Sequence, residues 1–325
     1  MQTDVGAWFR RRTSSSGQWH RRELVENKNG RRISVVLPAH NEAATVGAIV
    51  SLLRSELMEK VPLIDELVVI DSGSSDDTAL VAERAGARVF RQDQILPGLE
   101  DVPGKGEALW KSLLVTDGDI VAFIDADLRS FDEQFAVGLL GPLLADESVQ
   151  FVKAFYDRPL VTAETVLPAG GGRVTELVAR PLLNLHWPVL SRIVQPLAGE
   201  YAARRSLLEQ LSFVSGYGVE VGMLIDVVES VGLDTMAQVD LGRREHRNSG
   251  DAALGRMAAH IQLAVLSRLQ RYGRILLTDE PATLLTQFCR EGDSLRPRIS
   301  EVGIAERPPM ISLEEYRQWM AREMT

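Results

Sequence analysis

Short apolar runs alternate with longer amphipathic stretches through the first half of the chain. Residues 33–37, 67–70, 88–90, 120–124 and 149–156 are too short for buried helices and are bounded by polar or small residues, so the pattern predicts five strands. Between the first two, Val46, Ile49, Val50, Leu53 and Leu57 recur at helical spacing. A second helix starts near Ser75 or Asp76 as N-cap and stops at Gly86. A third follows Gly104-Lys105-Gly106 and runs through Leu114. Strands alternating with helices predict a mostly parallel, Rossmann-like α/β sheet flanked by helices.

The second half is less regular. Residues 170–175 open a helix toward Leu185, and 216–218 precede one with Val219, Met223, Val227, Val228 and Val231 on a face. Residues 236–241 predict a strand, and Leu254, Met257, Ile261 and Val265 mark a further amphipathic helix. The Arg-, Ser- and Gly-rich residues 1–32, with Trp8, Phe9 and Trp19, predict an irregular arm packed through those aromatics. The expected organisation is an arm at 1–32, a first half at 33–157, a second half at 158–275 and a wrapping tail at 276–325.

Composition narrows the function classes. A net charge of −9 argues against a general binder of nucleic acid or anionic membrane. The single Cys289 excludes an internal disulfide framework and a multi-cysteine metal site, which fits a reducing cytoplasm. Arg10, Arg11 and Arg12 are not followed by the apolar core of a signal peptide, and no run approaches the ~18 apolar residues of a spanning helix. A soluble cytoplasmic protein is expected. Lysine is scarce, occurring at 28, 60, 105, 111 and 153, and the remaining basic residues are arginine.

Three strands end in polar clusters: Asn41-Glu42, Asp71-Ser72 and Asp125-Ala126-Asp127. In open α/β sheets, ligands bind outside the carboxyl ends of the strands. Paired carboxylates there offer hard oxygens to Mg²⁺ or Mn²⁺. The bland alternative for each cluster is a capped turn; three together line a crevice. Lys105, between two glycines at a helix start, adds an ammonium to a helix dipole and so favours an anion. Gly170-Gly171-Gly172-Arg173-Val174-Thr175 is a second cradle of that kind, with arginine and threonine donors at a helix start. Gly216, Gly218 and Gly222 have the wrong spacing for a dinucleotide fingerprint.

These motifs, in order from Val36-Leu37-Pro38-Ala39-His40-Asn41-Glu42 through Val69-Ile70-Asp71-Ser72-Gly73-Ser74-Ser75-Asp76-Asp77-Thr78 and Lys105 to Asp125-Ala126-Asp127, resemble a GT-A glycosyltransferase. The second half is narrower in its likeness. The 170–181 segment, Gly216-Tyr217-Gly218-Val219-Glu220 and His246-Arg247-Asn248 resemble the actinobacterial glucosyl-3-phosphoglycerate synthases and their mannosyl relatives. The resemblance covers residues 33–260 and implies a GT-A fold with an acceptor-binding second half. It implies a retaining transfer of glucose or mannose, from UDP-glucose or GDP-mannose, to the 2-hydroxyl of 3-phosphoglycerate. It also implies a homodimer.

Site roles come from the same resemblance. Pro38, Ala39, Glu42 and Ser72 would hold base and ribose, and Asp127 with His246 would ligate the metal, Asp125 lying beside the ribose or metal. Lys105 would neutralise the diphosphate. Glu220 would contact donor hydroxyls, with Tyr217 stacking nearby, and Gly172, Arg173, Val174, Thr175 and Asn248 would bind the acceptor. Asp127, Lys105 and Glu220 form the expected catalytic set. His20, His40, His186 and His260 are expected to play structural parts. Glucosyl members would carry a basic residue after His-Arg-Asn, where Ser249-Gly250 stands here, so both donors remain open. The rivals are a polyprenyl-phosphate glycosyltransferase, for which no apolar entry helix is visible, and a non-catalytic nucleotide-sugar-binding module. A nucleotidyltransferase would need a Gly- and Arg-rich loop after 33–37, which is missing.

Overall fold

The computed structural model describes residues 5–157, 160–161, 166–167, 172–244 and 250–323. Its strands, taken along the chain, are β1 Thr13–Ser15, β2 Ile33–Ala39, β3 Glu66–Asp71, β4 Arg88–Arg91, β5 Ile120–Phe123, β6 Phe151–Asp157, β7 Tyr201–Arg204 and β8 Met236–Arg243. Among the described residues these form one eight-stranded sheet in the order β1-β8-β6-β7-β5-β2-β3-β4. Pairing is parallel except at β7, which runs antiparallel to both β5 and β6. The chain walks outward from β2 to β4, then returns to the other side of β2 as β5. That reversal opens a crevice above the carboxyl ends of β2 and β5.

Period-two alternation splits the strands between two apolar layers. Val36, Val68, Ile70, Val121 and Phe123 face one layer with helices α5 Lys105–Val115, α8 Val219–Val231 and α9 Asp251–Arg271. Val35, Leu37, Leu67, Val69 and Ala122 face the other, with α3 Val46–Arg54, α4 Thr78–Ala85 and α6 Gln134–Ala145. The central strands β2, β3 and β5 are covered on both faces, which is why their runs read as continuously apolar.

Several expectations are corrected. The first 32 residues are not irregular: α1 Val5–Arg12 and α2 Arg21–Asn27 flank β1, which pairs with β8 as the sheet's edge. The aromatics dock this segment, with the Trp8 indole donating to the Leu233 carbonyl at 3.2 Å and Trp19 lying against Gly141 of α6. Strand β7 and helix α6 were not foreseen. α6 is buried all around its surface and therefore shows no polar stripe to mark a helical period. At the start of α4 the flanking residue is Asp77, although the Thr78 N–H donates to Asp76 Oδ1 at 3.1 Å.

After α7 Arg180–His186, the chain reaches β7 and then α8. Beyond α9 a hairpin pairs Leu284–Glu291 with Ser294–Glu301, and Glu306–Arg307 then pairs with Phe213–Val214. Arg307 bridges to Glu107 on α5, and the last helix, α10 Glu314–Glu323, buries Tyr316. Among the described residues no helix is long and apolar enough to cross a membrane.

Candidate active site

A cavity of about 630 Å³ opens at the strand reversal. The loops after β2, β3 and β5 form one wall, and residues 172–175 with the starts of α8 and α9 form the facing wall. Every predicted site residue within the described regions lines it: Pro38, Ala39, Glu42 and Ser72 with Lys105, Asp125 and Asp127, then Gly172, Arg173, Val174 and Thr175 with Tyr217 and Glu220. His246 and Asn248 lie outside the described residues.

The floor is a chain of alternating charges. Lys105, the first residue of α5, places Nζ 2.5 Å from Asp125 Oδ1 and 3.2 Å from Glu220 Oε1, and donates to the Gly199 carbonyl at 3.1 Å. Arg244 Nη2 reaches Asp125 Oδ2 and Asp127 Oδ1, each at 2.9 Å. Its Nη1 donates to the Tyr156 hydroxyl at 2.6 Å and pairs with Glu200 at 2.9 Å. Tyr156 in turn donates to Glu200 at 2.8 Å. The packing is close enough that a Cβ on Gly199 would lie 2.2 Å from Asp125 Oδ2. Gly104, at φ +116°, brings α5 against Gly216, where a Cβ would come within 2.7 Å of the amide nitrogen.

Burial and neighbours oppose each other throughout. Burial works against the Lys105 ammonium, but Asp125 and Glu220 outweigh it and hold the pKa well above the usual lysine value. Burial would raise the Asp125 pKa, yet Lys105 and Arg244 hold it far below the usual carboxylate range. At Glu200 burial prevails over Arg244, and the pKa rises. Arg244 remains charged, since four acidic or phenolic neighbours override its desolvation.

The wall formed by the loops after β2, β3 and β5 is laced together by hydrogen bonds. Ser72 donates to Gln92 at 2.8 Å, and Gln92 donates to Asp101 at 3.1 Å. The buried Lys111 holds both the Gln92 carbonyl and Asp101. Thr45 donates to the Ala126 carbonyl at 2.6 Å, tying the loop after β2 to the paired aspartates. On the facing wall, Arg173 pairs with Asp251 at 3.0 Å. His40 and the Gln92–Asp101 pair line the cavity although the sequence analysis assigned them no site role. His260 packs 5.8 Å from the Tyr217 ring and accepts from the Tyr217 amide. Arg244 and Gly199 were also missed; an arginine two residues before a histidine motif was the only available signal.

The donor set fits a hard divalent cation. Asp127 is 44% exposed at its side chain, and Arg244 engages only Oδ1. Asp127 lines the cavity, and among the described residues its side chain bonds only to Arg244. Both oxygens of Asp125 are already held by cations. Among the described residues no group of three or more ligating side chains gathers. Mg²⁺ characteristically takes one or two carboxylates and completes its shell with phosphate oxygens and water.

Residues 34–165 match the model of glycosyl transferase family 2. The glucosyl-3-phosphoglycerate synthase of Petrotoga mobilis is 46% identical over 306 residues, covering 93% of this chain and 94% of that protein. Among solved structures, the mannosyl-3-phosphoglycerate synthase of Rubrobacter xylanophilus superposes with TM-score 0.87 at 42% identity, covering 94% of this chain and 99% of its own. The glucosyl-3-phosphoglycerate synthase of Mycobacterium tuberculosis, in complex with Mn²⁺, UDP-glucose and phosphoglyceric acid, superposes with TM-score 0.78 at 47% identity, covering 90% and 95%.

Proposed function

The chain belongs to the glucosyl-3-phosphoglycerate synthase family of glycosyltransferases, and on that premise we propose that it moves glucose or mannose from a nucleoside-diphosphate sugar to the 2-hydroxyl of 3-phosphoglycerate. The observation that carries this proposal is the shared cavity, which joins the Lys105–Asp125–Arg244–Asp127 floor to the 172–175 segment across from it. In this reading the loops after β2 and β3, with Pro38, Ala39, Glu42 and Ser72, hold base and ribose. Lys105 meets the diphosphate, Glu220 the sugar hydroxyls with Tyr217 beside it, and Gly172 to Thr175 with Asn248 the acid and phosphate of the acceptor.

Mg²⁺ or Mn²⁺ would be held by Asp127 and His246, with Asp125 nearby, and would neutralise charge on the departing diphosphate. Lys105 adds a fixed positive charge at the same place, and burial strengthens it. We propose a retaining, front-face course: the bond from the sugar's anomeric carbon to the diphosphate breaks, and the bond to the acceptor oxygen forms on the same face. The leaving phosphate takes the acceptor's proton. A cytoplasmic location and a homodimer belong to the same proposal.

Donor choice stays open between two lines of support. Identity is higher to the glucosyl enzyme of Petrotoga mobilis, whereas the backbone superposes better on the mannosyl enzyme of Rubrobacter xylanophilus. The test measures nucleoside diphosphate released from UDP-glucose and from GDP-mannose, with and without 3-phosphoglycerate. Acceptor-dependent release is expected with at least one donor, lost on chelation of the metal and reduced ~10²-fold or more in Asp127→Ala. Binding without release would leave a non-catalytic module, and release only with a polyprenyl phosphate would mean a lipid acceptor. Full activity of Asp127→Ala would overturn the metal assignment.

A further inference from the structure

The carboxyl ends of β5, β2, β3 and β4 lie side by side in that order, all parallel, and residues at each end line the cavity. Neighbouring strands are about 4.8 Å apart, so the row from β5 to β4 spans roughly 14 Å. In the proposed donor site the diphosphate sits at the β5 end, beside Asp125, Asp127 and Lys105, and base and ribose sit at β2 and β3. A donor laid along this row brings the outer edge of its base to the residues that follow β4. Two of these line the cavity before Pro103: Gln92, next to the end of β4, and Asp101.

Hydrogen bonds tie both residues to the base side of the cavity. Gln92 Oε1 accepts from the Ser72 hydroxyl at 2.8 Å, and its Nε2 donates to Asp101 Oδ1 at 3.1 Å and to the Val102 carbonyl at 3.2 Å. Gln92 is 3% exposed, with both ends of its amide committed. The buried Lys111 on α5 donates to the Gln92 carbonyl at 2.8 Å and to Asp101 Oδ1 at 3.0 Å, and pairs with Glu107 at 3.1 Å. Those partners match its three donors. Asp101 ends this chain: anchored by Gln92 and Lys111, it lines the cavity with its side chain 46% exposed. This end of the cavity therefore presents a carboxylate, a group that accepts hydrogen bonds and donates none.

A carboxylate there suits one class of base. Along its Watson–Crick edge guanine carries N1–H and the 2-amino group side by side, two donors that match the two oxygens of a carboxylate. Uracil carries a single N3–H between two carbonyl oxygens, whose lone pairs a carboxylate repels. We propose that Asp101 is a specificity-determining residue that selects guanine over uracil, so that the donor is a guanosine-diphosphate hexose. The proposal rests on the donor-site reading and narrows it. Gln92 and Lys111 fix the Asp101 carboxylate to the end of β4 and to α5, so it meets the base without first being ordered.

Titration calorimetry of the full chain with Mg²⁺ and free GDP, IDP or UDP tests this, since GDP and IDP differ only by the 2-amino group. GDP is expected to bind about tenfold or more tighter than IDP, and tighter than UDP, as a bidentate contact to a base edge discriminates to that extent. Asp101→Asn exchanges one acceptor for a donor, and should bring GDP and IDP within about twofold of each other while strengthening UDP. Transfer to 3-phosphoglycerate should show a higher kcat/KM from GDP-glucose than from UDP-glucose, two donors that share their sugar. Wild-type protein that binds IDP as tightly as GDP, or binds UDP more tightly, overturns the proposal whether or not the variant folds. So does a folded Asp101→Asn variant that keeps the wild-type preference, or a higher kcat/KM from UDP-glucose. If none of the three nucleotides binds, the donor-site reading falls too; binding with the wrong preference sinks this inference alone.

Discussion

At the scale of single residues, the site depends on which groups share a cation. Asp125 spends both oxygens on Lys105 and Arg244, whereas Asp127 meets Arg244 through one oxygen and its side chain is 44% exposed. Two aspartates one residue apart thus divide into one held at both oxygens and one held at a single oxygen, the latter being the ligand we propose for the metal. Gly199 makes this possible, since any Cβ there would intrude on the Asp125 carboxylate. Gly199→Ala is expected to displace Asp125 and lower kcat/KM for the donor by ~10- to 100-fold while leaving the fold intact, because misplacement near 1 Å costs on that order. Steady-state kinetics with a circular-dichroism spectrum checks it; unchanged kinetics would mean Asp125 has room to spare. The paired aspartates, Lys105 and Glu220 were legible in the sequence because each sits in a local motif. Arg244 and Gly199 were not, because nothing beside them in the chain marks their partners.

Among elements, legibility followed periodicity. Strands β2, β3, β5 and β8 and helices α3, α4, α5, α8 and α9 carry clear apolar patterns and appear with modest shifts at their ends. β7 escaped notice because it is only four residues long and its inner positions are alanines. α6 escaped because burial on every side removes the polar stripe. The π-helical turn Thr175–Ala179 and α7 continue the segment that opens at Arg173, which the glycine-rich approach had indicated. Close contact between elements also reverses an ordinary rule. Gly→Ala inside a helix usually stabilises by about 1 kcal/mol. At Gly106 in α5 a Cβ would lie 1.9 Å from the Val214 carbonyl oxygen, a backbone atom. Gly106→Ala is therefore expected to destabilise by ~1–3 kcal/mol. A lower midpoint in chemical denaturation supports this; a higher one would show that α5 and the 213–214 strand can separate freely.

For the molecule as a whole, buried ionisable groups make stability depend on pH. The folded chain releases the Lys153 proton near pH 7, whereas an unfolded lysine keeps it to about 10.5. Between those values the unfolded state binds more protons, so this group makes stability rise with pH across the window. Denaturation midpoints of Lys153→Met and wild type should converge from about pH 7 toward about pH 10, the variant lacking that upward slope. A parallel offset at every pH would show that Lys153 is charged in the folded protein as in the unfolded. The homodimer is tested by light scattering on the purified chain, where a mass near twice the 35.9 kDa of one chain is expected and a monomeric mass would remove it.

By itself the sequence determined where the strongly periodic strands and helices form, where the paired carboxylates and the glycine-flanked lysine stand, and which family the pattern resembles. These properties follow from neighbours within a few residues, through side-chain period, capping and glycine freedom. Tertiary structure alone decided the antiparallel insertion of β7, the docking of the N-terminal segment as an edge strand, and the charge network beneath the site. Arg244 reaches Asp125 and Asp127 across 119 and 117 residues of chain, and Lys153 meets Tyr201 only because β6 and β7 are neighbours in the sheet. Such contacts are set by strand order and helix packing, which many distant residues determine together, so no local pattern announces them.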